Sequence, residues 1–493
     1  FLIISSVLGV SILGDVRQTH ALFCVSEGKD SKKVLSEAHI ERIHQGKRAA
    51  NDICAWGGHL AECQLADGTA ESIRLATSAL SDLATSALSD HSIEVPLEKP
   101  LRPKKFPLVV CVAPMYTYTE WQIMVTGIEV YTEWQIMVTG IEVWLALGAS
   151  KMVFPIQSAS ADTIQVFPIQ SASADTIQIL TEYQRIGIVH LRVWPKWPVL
   201  SIVHLRVWPK WPVLSDANPN GLVLSRGIEE SHVNCLHFVK PFAEMVVITD
   251  IDDMLMPLDP MKVRPGINVD ILKDLFHQHP NAGSLLFEDL FHQHPNAGSL
   301  LFEHRDVQFF VLPDPSTQNT LRSFNFEFLA HSKWKTSCKV WRMKTRVAVN
   351  ASRVDTVNMH ESGIHRFGFV NMHESGIHRF GFVQVRVPCR QAHFYVRVPC
   401  RQAHFYHLRH SYKTLPSTSP IDMSKLRQML NERWHFRAES NFSSEMQSKM
   451  LARSSVESFE DFDKCMSAIN EEHWRLRVSR CLTPHVCFSR LAK

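Results

Sequence analysis

The stretch 244–257 reads EMVVITDIDDMLMP, and it decides how the rest of the chain is interpreted. Its first half, EMVVIT, is a short apolar run of the kind that forms a buried strand. Asp250, Asp252 and Asp253 follow directly, so three carboxylates gather where the predicted strand ends. In extended backbone, Asp250 and Asp252 point to the same side. Like charges at this spacing repel, and a divalent cation relieves that repulsion, so the pattern predicts a metal site.

Upstream of this stretch, apolar runs of strand length alternate with segments of helical periodicity. The predicted strands are 108–113, 151–156, 188–194 and 244–249, and the predicted helices lie within 132–149, 174–187 and 226–240. Gly148 and Gly187 are expected to end the first two helices. Strands that alternate with crossover helices predict an α/β fold with a mostly parallel sheet flanked by helices. Active sites in such sheets lie at the carboxyl ends of the strands.

Seven segments occur twice in immediate succession, and the two copies of each are identical. The pairs fill 75–90, 118–143, 153–178, 188–215, 274–303, 357–382 and 385–406. Solenoids and propellers show one fixed period and diverged copies, so this pattern does not predict a repeat fold. We interpret the copies as a damaged gene model or assembly, with recent real duplications as the alternative. Because an inserted copy shifts the register of an element, only one copy of each pair is expected to occupy it.

Composition excludes several classes of protein. Hydrophobic residues make up 45% of the chain and charged residues 20%, as in a globular rather than a disordered protein. A net charge of +3 is too small to indicate a nucleic-acid partner. We divide the chain into an apolar signal-anchor or signal-peptide remnant (1–14), a stem or linker with a helical pattern at 33–53 (15–105), a catalytic domain that contains the tandem copies (106–415) and a helical C-terminal region (416–493).

The compartment is inferred from the N-terminal run, two sequons and the cysteines. The run 1–14 is shorter than the ~20 apolar residues of a complete span, and a buried strand or helix is the alternative. The sequons at Asn350 and Asn441 indicate a secretory route. No CxxC pair occurs, so a zinc site is not expected, whereas disulfides are allowed. Cys111, inside an apolar run, is expected to be a buried thiol.

Two enzyme classes place a DxD motif after an apolar strand. In nucleotide-sugar transferases of the GT-A fold that strand is the fourth, whereas in haloacid-dehalogenase-type phosphatases it is the first. Three predicted strands precede Asp250, and Met254 stands where a phosphatase usually has Thr. Position therefore favours the transferase. A phosphatase and a non-catalytic glycan-binding paralogue stay open as alternatives.

The sequence from about 106 to 412 resembles glycosyltransferase family 92. Three segments carry the resemblance: VVCVAPMY at 109–116, the block at 231–257, and the distal pair 335–363 and 404–412. The resemblance implies a GT-A fold and a type II protein of the Golgi lumen, held in the membrane by a single N-terminal segment. It also implies inverting transfer of galactose from UDP-galactose to a glycan or glycoprotein acceptor, with a β-1,4 linkage.

The resemblance assigns a metal site. Asp250 and Asp252 are expected to bind Mn²⁺ or Mg²⁺, with Asp253 behind them or against the sugar donor. A third ligand is expected from His360, from its copy His373 or from His410, and the resemblance favours His360 or His373. For each histidine the alternative is an ordinary surface or core position.

Other residues are assigned to the acceptor and the UDP-sugar. The general base is expected to be Glu288 or its copy Glu303, with Glu327 and Glu361 as rivals and a salt-bridged surface position as the alternative. Residues expected to contact the donor are Pro114, Met115 and Tyr116 at the uridine and Arg409 and Lys413 at the phosphates. The Trp-Pro stretch at 194–198, or its copy at 208–212, is a candidate acceptor surface, with a rigid hydrophobic loop as the alternative.

Overall fold

A computed structural model of the protein describes about half of the chain. The described residues are 2–4, 7–15, 21–27, 33–42, 56–65, 72–76, 92–94, 106–113, 133–156, 174–193, 228–257, 259–278, 299–308, 320–331, 333–335, 345–351, 354, 356–358, 362–364, 395–397, 403–408 and 418–448.

The described part of the first hundred residues consists of strands. They are β1 (Leu2–Ile4), β2 (Val7–Asp15), β3 (Phe23–Glu27), β4 (Lys33–Glu37), β5 (His39–Arg42), β6 (Trp56–Gln64), β7 (Ser72–Ala76) and β8 (Ser92–Glu94). They form two antiparallel four-stranded sheets, ordered β1-β2-β6-β5 and β4-β3-β7-β8. A disulfide between Cys24 and Cys63 joins the two sheets.

These strands bear on two expectations about the N-terminal region. The prediction of helix at 33–53 is wrong for the described residues 33–42, because β4 and β5 occupy them. The apolar run at the N-terminus forms β1 and most of β2. Among the described residues, no helix has the length and apolar character needed to cross a membrane. The proposed boundaries at 14, 105 and 415 stay predictions.

The central sheet follows the predicted alternation closely. Its first elements are β9 (Phe106–Val112), α1 (Glu133–Leu147), β10 (Lys151–Ile156), α2 (Ala174–Arg185), β11 (Val189–Val193), α3 (Ile228–Val239) and β12 (Ala243–Thr249). The four strands are parallel, in the order β11-β10-β9-β12. Gly148 and Gly187 end the first two helices with φ of 121° and 78°, a backbone conformation that glycine adopts without steric cost. The predicted α/β class with a mostly parallel sheet is confirmed for this half.

The distal half makes the sheet mixed, with both antiparallel and parallel strand pairs. Its elements are β13 (Asp253–Pro257), a 3₁₀ turn (Pro260–Lys262), α4 (Ile267–Gln278), β14 (Ser299–Gln308), a 3₁₀ helix (Glu327–His331), β15 (Lys333–Lys335), β16 (Thr345–Asn350), β17 (Thr356–Asn358), β18 (Ser362–Ile364), β19 (Tyr395–Arg397), β20 (Ala403–Leu408), β21 (Thr418–Pro420), α5 (Ser424–Asn441) and α6 (Ser444–Ser448). Strand β16 pairs antiparallel with β12 and with β14, and so extends the sheet.

The central sheet is buried on both faces. Alternate residues of β9 point to opposite sides. Val110 joins the apolar core that contains α1, α2, α4 and α5, whereas Val109 joins the core that contains α3. On the α3 side, Cys111 forms a disulfide with Cys235, with Cα atoms 6.0 Å apart. Cys111 is buried, as expected, but the expectation of a free thiol is wrong.

The tandem copies are divided between the described elements. Helix α1 is built from the second copy of the pair at 118–143. Strand β10 uses the start of the first copy at 153–178, and α2 uses the end of the second. The leftover copies of these pairs lie outside the described residues. Each of these elements therefore draws on one copy of its repeat.

A buried ion pair ties α1 to α2 and α5 on the main core side. Glu142 is fully buried; it accepts a hydrogen bond from the Tyr183 hydroxyl at 2.7 Å, and Arg437 Nε lies 2.5 Å from the same Oε1 atom. Burial raises the pKa of Glu142 above its ordinary value, although Arg437 and Tyr183 oppose that shift. Burial and the neighbouring Glu142 also raise the pKa of Tyr183.

Candidate active site

The Asp250–Asp253 turn lies at the carboxyl end of β12, in the middle of the sheet. The strand is apolar and buried over its last five residues because helices cover both of its faces. Strand β13 begins only four residues after β12 ends. A backbone hydrogen bond from Asp253 N to Asp250 O, 3.3 Å long, closes the turn between them. The predicted position of the acidic motif is thus confirmed.

The three carboxylates of this turn form a compact group. One oxygen from each of Asp250, Asp252 and Asp253 lies within 4.8 Å of the others. Asp250 and Asp252 are partly exposed, whereas Asp253 is fully buried. The two outer carboxylates are therefore accessible to a ligand, and the inner one faces the core.

Arg346, at the start of β16, supplies a positive charge to this group. Its Nη2 donates to Asp250 Oδ2 at 2.7 Å, and its Nε donates to Asp253 Oδ2. The arginine side chain is only 5% exposed. Burial alone would lower the pKa of Arg346, but the charges of Asp253, Asp250 and Asp252 raise it overall. Arg346 is therefore a permanent cation of the site.

Asp253 is held by a set of buried donors. Besides Arg346, the Thr249 hydroxyl and the Asp250 backbone N–H lie 3.3 Å from its Oδ2. The indole of Trp144, on α1, donates to the Asp253 carbonyl oxygen at 3.0 Å. A buried carboxylate is stable only with such partners. These contacts fix the backbone of the turn.

Helix α1 approaches the turn closely at Gly140. A Cβ atom built on Gly140 would lie 2.3 Å from the Ile251 carbonyl oxygen and 2.6 Å from its side chain. Only glycine allows the helix and the turn to meet at this distance. Gly140 and Trp144, one helical turn apart, thus support the acidic turn from behind.

The composition of the group fits a hard divalent cation. Three carboxylates and one guanidinium carry a formal net charge of −2. Mg²⁺ and Mn²⁺ prefer carboxylate oxygens and keep several waters and ligand phosphates. Asp250 and Asp252, which are accessible, are the two residues that would hold the ion.

Two more strands run past the same end of the sheet. Glu303, on β14, is paired with Thr345 of β16, the residue before Arg346. Strand β20 runs antiparallel to β13 and places His407 opposite Asp253. Its last residue is Leu408, two positions before His410.

Other predicted residues fall elsewhere. Both carboxylate oxygens of Glu327 are engaged by α5, since Arg427 donates to one at 2.8 Å and Asn431 to the other at 3.2 Å. This rival for the general base thus holds the C-terminal helix. Candidates that lie outside the described residues are Pro114, Met115, Tyr116, Glu288, His360, Glu361, His373, Arg409, His410, Lys413 and the 194–198 stretch.

Sequence reasoning missed Arg346, Gly140 and Trp144 as parts of the site. Arg346 gave one usable signal, because it is the only charged residue of the strand sequence TRVAVN. A buried charge in such a strand requires a partner of opposite sign. The sequence does not mark Gly140 and Trp144, because the helix is mostly apolar and its pattern does not indicate which residues face the turn.

Fold and site together define an α/β protein with a cluster of three carboxylates at the carboxyl end of its parallel strands. The sequence model of Glycosyltransferase family 92 matches residues 130–454. The chain belongs to this family, which confirms the resemblance and implies glycosyltransferase activity, a nucleotide-sugar donor and a glycan acceptor. The phosphatase alternative is not favoured. No curated protein matches the chain. The matched region includes α5 and α6, which pack on the core that contains the site.

Proposed function

We propose that the protein is a metal-dependent, inverting glycosyltransferase that moves galactose from UDP-galactose to a glycan acceptor in a β-1,4 linkage. The observation that carries the proposal is the Asp250–Asp253 group with its net charge of −2. A GT-A-like arrangement is supported by the position of the group after β12, which is the fourth strand of the central sheet in chain order.

Mn²⁺ or Mg²⁺ is the proposed cofactor, on Asp250 and Asp252. When bound, such an ion offsets the negative charge that develops on a leaving diphosphate. For the third ligand we favour His410 over His360 and His373. The reason is that β20 pairs with β13, which begins in the acidic turn, and ends at Leu408, two positions before His410 in sequence.

The acceptor hydroxyl needs a general base in an inverting transfer. We propose Glu303 for this role in preference to its copy Glu288. Its strand, β14, pairs with β16 at the level of Thr345, next to Arg346. The proposed base therefore lies two strands away from β12, at the same end of the strands as the acidic turn.

A UDP-release assay on the full chain tests the proposed reaction. With Mn²⁺ and a glycan acceptor, UDP release from UDP-galactose should exceed UDP release from UDP-glucose. The release should require the acceptor and should stop on addition of EDTA. Release that is insensitive to EDTA would refute the metal dependence. Sugar binding without turnover, across donors and acceptors, would instead support the non-catalytic paralogue.

We also propose a secretory route, with a type II orientation in the Golgi lumen. The two disulfides, Cys24–Cys63 and Cys111–Cys235, suit an oxidising compartment. Of the two sequons, we expect Asn441 to carry the glycan. It ends α5 and is followed by the exposed Ser443, whereas Asn350 lies within the central sheet opposite Met245.

Expression in a secretory host tests this route. An endoglycosidase should shift the mobility of the protein, Asn441→Gln should abolish the shift, and Asn350→Gln should leave it unchanged. Peptide mapping without reduction should recover both disulfides. A protein that receives no glycan and keeps all four cysteines reduced would overturn the assignment.

A further inference from the structure

We propose that Arg346 is a positioning residue that orients the Asp250 carboxylate for the divalent cation and thereby sets the affinity of the site. This inference rests on the proposed metal dependence and goes beyond it, because it assigns the orientation of a metal ligand to a cation on a different strand.

The Asp250 side chain needs such a support. It is 30% exposed and lies just beyond the end of β12, where the regular ladder no longer fixes the chain. A carboxylate in this position has rotational freedom that is lost when it binds an ion. The bond from Arg346 Nη2 to Asp250 Oδ2, at 2.7 Å, removes much of that freedom in advance.

Arg346 is itself rigidly placed. Its strand lies between β12 and β14, and its side chain is buried. Its Nε contacts the fully buried Asp253, while its Nη2 reaches outward to Asp250. One planar guanidinium therefore connects a fixed inner carboxylate to the outer carboxylate.

The guanidinium and a cation can share Asp250. A carboxylate has two oxygens and about four lone-pair sites, so one accepted hydrogen bond leaves capacity for an ion. Ligating carboxylates are commonly hydrogen-bonded in this way, and loss of such a partner typically weakens metal binding about 10–100-fold. The arginine contact thus acts through Asp250 and needs no direct contact with the ion.

Arg346→Lys is the decisive variant, because it keeps the positive charge and removes the fork. A lysine ammonium is a single point charge that does not reproduce the two-armed geometry. Mn²⁺ dissociation constants of the full-length wild type and variant, measured by calorimetry or by the spin resonance of free Mn²⁺, should differ about 10–100-fold.

Arg437→Lys is the matched control. Arg437 also pairs with a buried carboxylate, Glu142, but on the far side of α1 from the acidic turn. Thermal unfolding of both variants measures the general damage. Arg437→Lys should leave the Mn²⁺ dissociation constant within about twofold of the wild type, as expected for a distant, independent site.

The outcomes separate this inference from the proposed function. Failure of the wild type to bind Mn²⁺ would remove both. Wild-type binding with equal affinity in folded Arg346→Lys would overturn only the role of Arg346. Equal weakening in both lysine variants would overturn it as well, because the effect would then reflect general disturbance of the core.

A measurement on the wild type covers the case in which Arg346→Lys does not fold. In protein labelled with ¹⁵N-arginine, paramagnetic Mn²⁺ should broaden the guanidinium signal nearest the site. With diamagnetic Mg²⁺ in its place, that signal should keep its slow hydrogen exchange, because Arg346 stays bonded to Asp250. Faster exchange on Mg²⁺ binding would mean that the ion displaces the arginine, and would overturn the inference.

Discussion

Helix α1 separates two buried arginine–carboxylate groups that are built differently. On one side, Gly140 and Trp144 support the turn where Arg346 meets Asp250 and Asp253. On the other side, Glu142 meets Arg437 and Tyr183. We call the first the site group and the second the core group.

The two groups differ in charge balance and in access. The core group pairs one carboxylate with one guanidinium, and Glu142 is fully buried. The site group has two negative charges in excess, and Asp250 and Asp252 are partly exposed. Excess charge costs stability unless a ligand compensates it. The unbalanced charge therefore distinguishes the site group from the core group, whereas burial alone would not distinguish the two.

Truncation of the two arginines should give the largest difference between the two groups. Arg346→Ala leaves a buried carboxylate unpaired and should lower the free energy of unfolding by about 3–5 kcal/mol. Arg437→Ala should cost less, about 1–3 kcal/mol, because burial already raises the pKa of Glu142 and loss of Arg437 raises it further, which favours the neutral acid. Urea denaturation at neutral pH measures both, and equal losses would contradict the distinction.

Asp252→Asn should weaken cation binding by the site group without loss of stability. We expect Mn²⁺ affinity to fall at least about 100-fold, since a direct ligand matters more than the partners behind it. The melting temperature without metal should not fall, because Asp252 is partly exposed and its loss lessens the excess negative charge of the group. Asp270→Asn, in an exposed ion pair on α4, is the control and should alter neither quantity. Unaltered Mn²⁺ binding in Asp252→Asn would remove Asp252 from the ligand set.

Gly140→Ala should damage the site group from the side of the helix. The new methyl group would collide with Ile251, so the turn must move, at a cost of about 1–3 kcal/mol. Mn²⁺ affinity should fall with stability. Thr139→Ala, at the neighbouring buried position, is the control for a change in the same helix. Stability lost with Mn²⁺ affinity intact would show that the turn does not depend on this approach.

The pH dependence of stability should report on the core group. Because the folded pKa of Glu142 is raised, its contribution to stability is present below the ordinary glutamate pKa and is lost as pH rises through the folded value. Glu142→Gln should flatten this loss, by about 1.4 kcal/mol for each unit of the shift. Unfolding free energies across pH measure it, with the exposed Glu439→Gln as control. A slope unchanged in Glu142→Gln would contradict the assignment.

The sequence predicted the proximal half of the fold well, whereas in the distal half it predicted the C-terminal helix but not the pairing of the strands. Strands β9 to β12 and helices α1 to α3 are local patterns of strong periodicity, so their positions followed from apolar spacing and from Gly148 and Gly187. The distal strands are short, and their pairing joins residues far apart in sequence. No local pattern reports such a pairing.

The candidate site shows the same division. Asp250, Asp252 and Asp253 are adjacent in sequence, and their clustering was predictable. Arg346 reaches them only because β16 lies antiparallel to β12, and nothing within the strand specifies that neighbour. Cys111 shows the same limit, since its apolar surroundings predicted burial but not Cys235 as its partner.

The antiparallel pairing of β16 with β12 also imposes an order in time. Arg346 follows Asp250 by 96 positions, so a growing chain exposes its acidic turn well before it contains the compensating cation. Until β16 is added, the carboxylates repel one another and β12 lacks its distal neighbour. A nascent chain that stops before residue 346 therefore cannot assemble the site. Cation binding during synthesis would show that β16 has paired with β12.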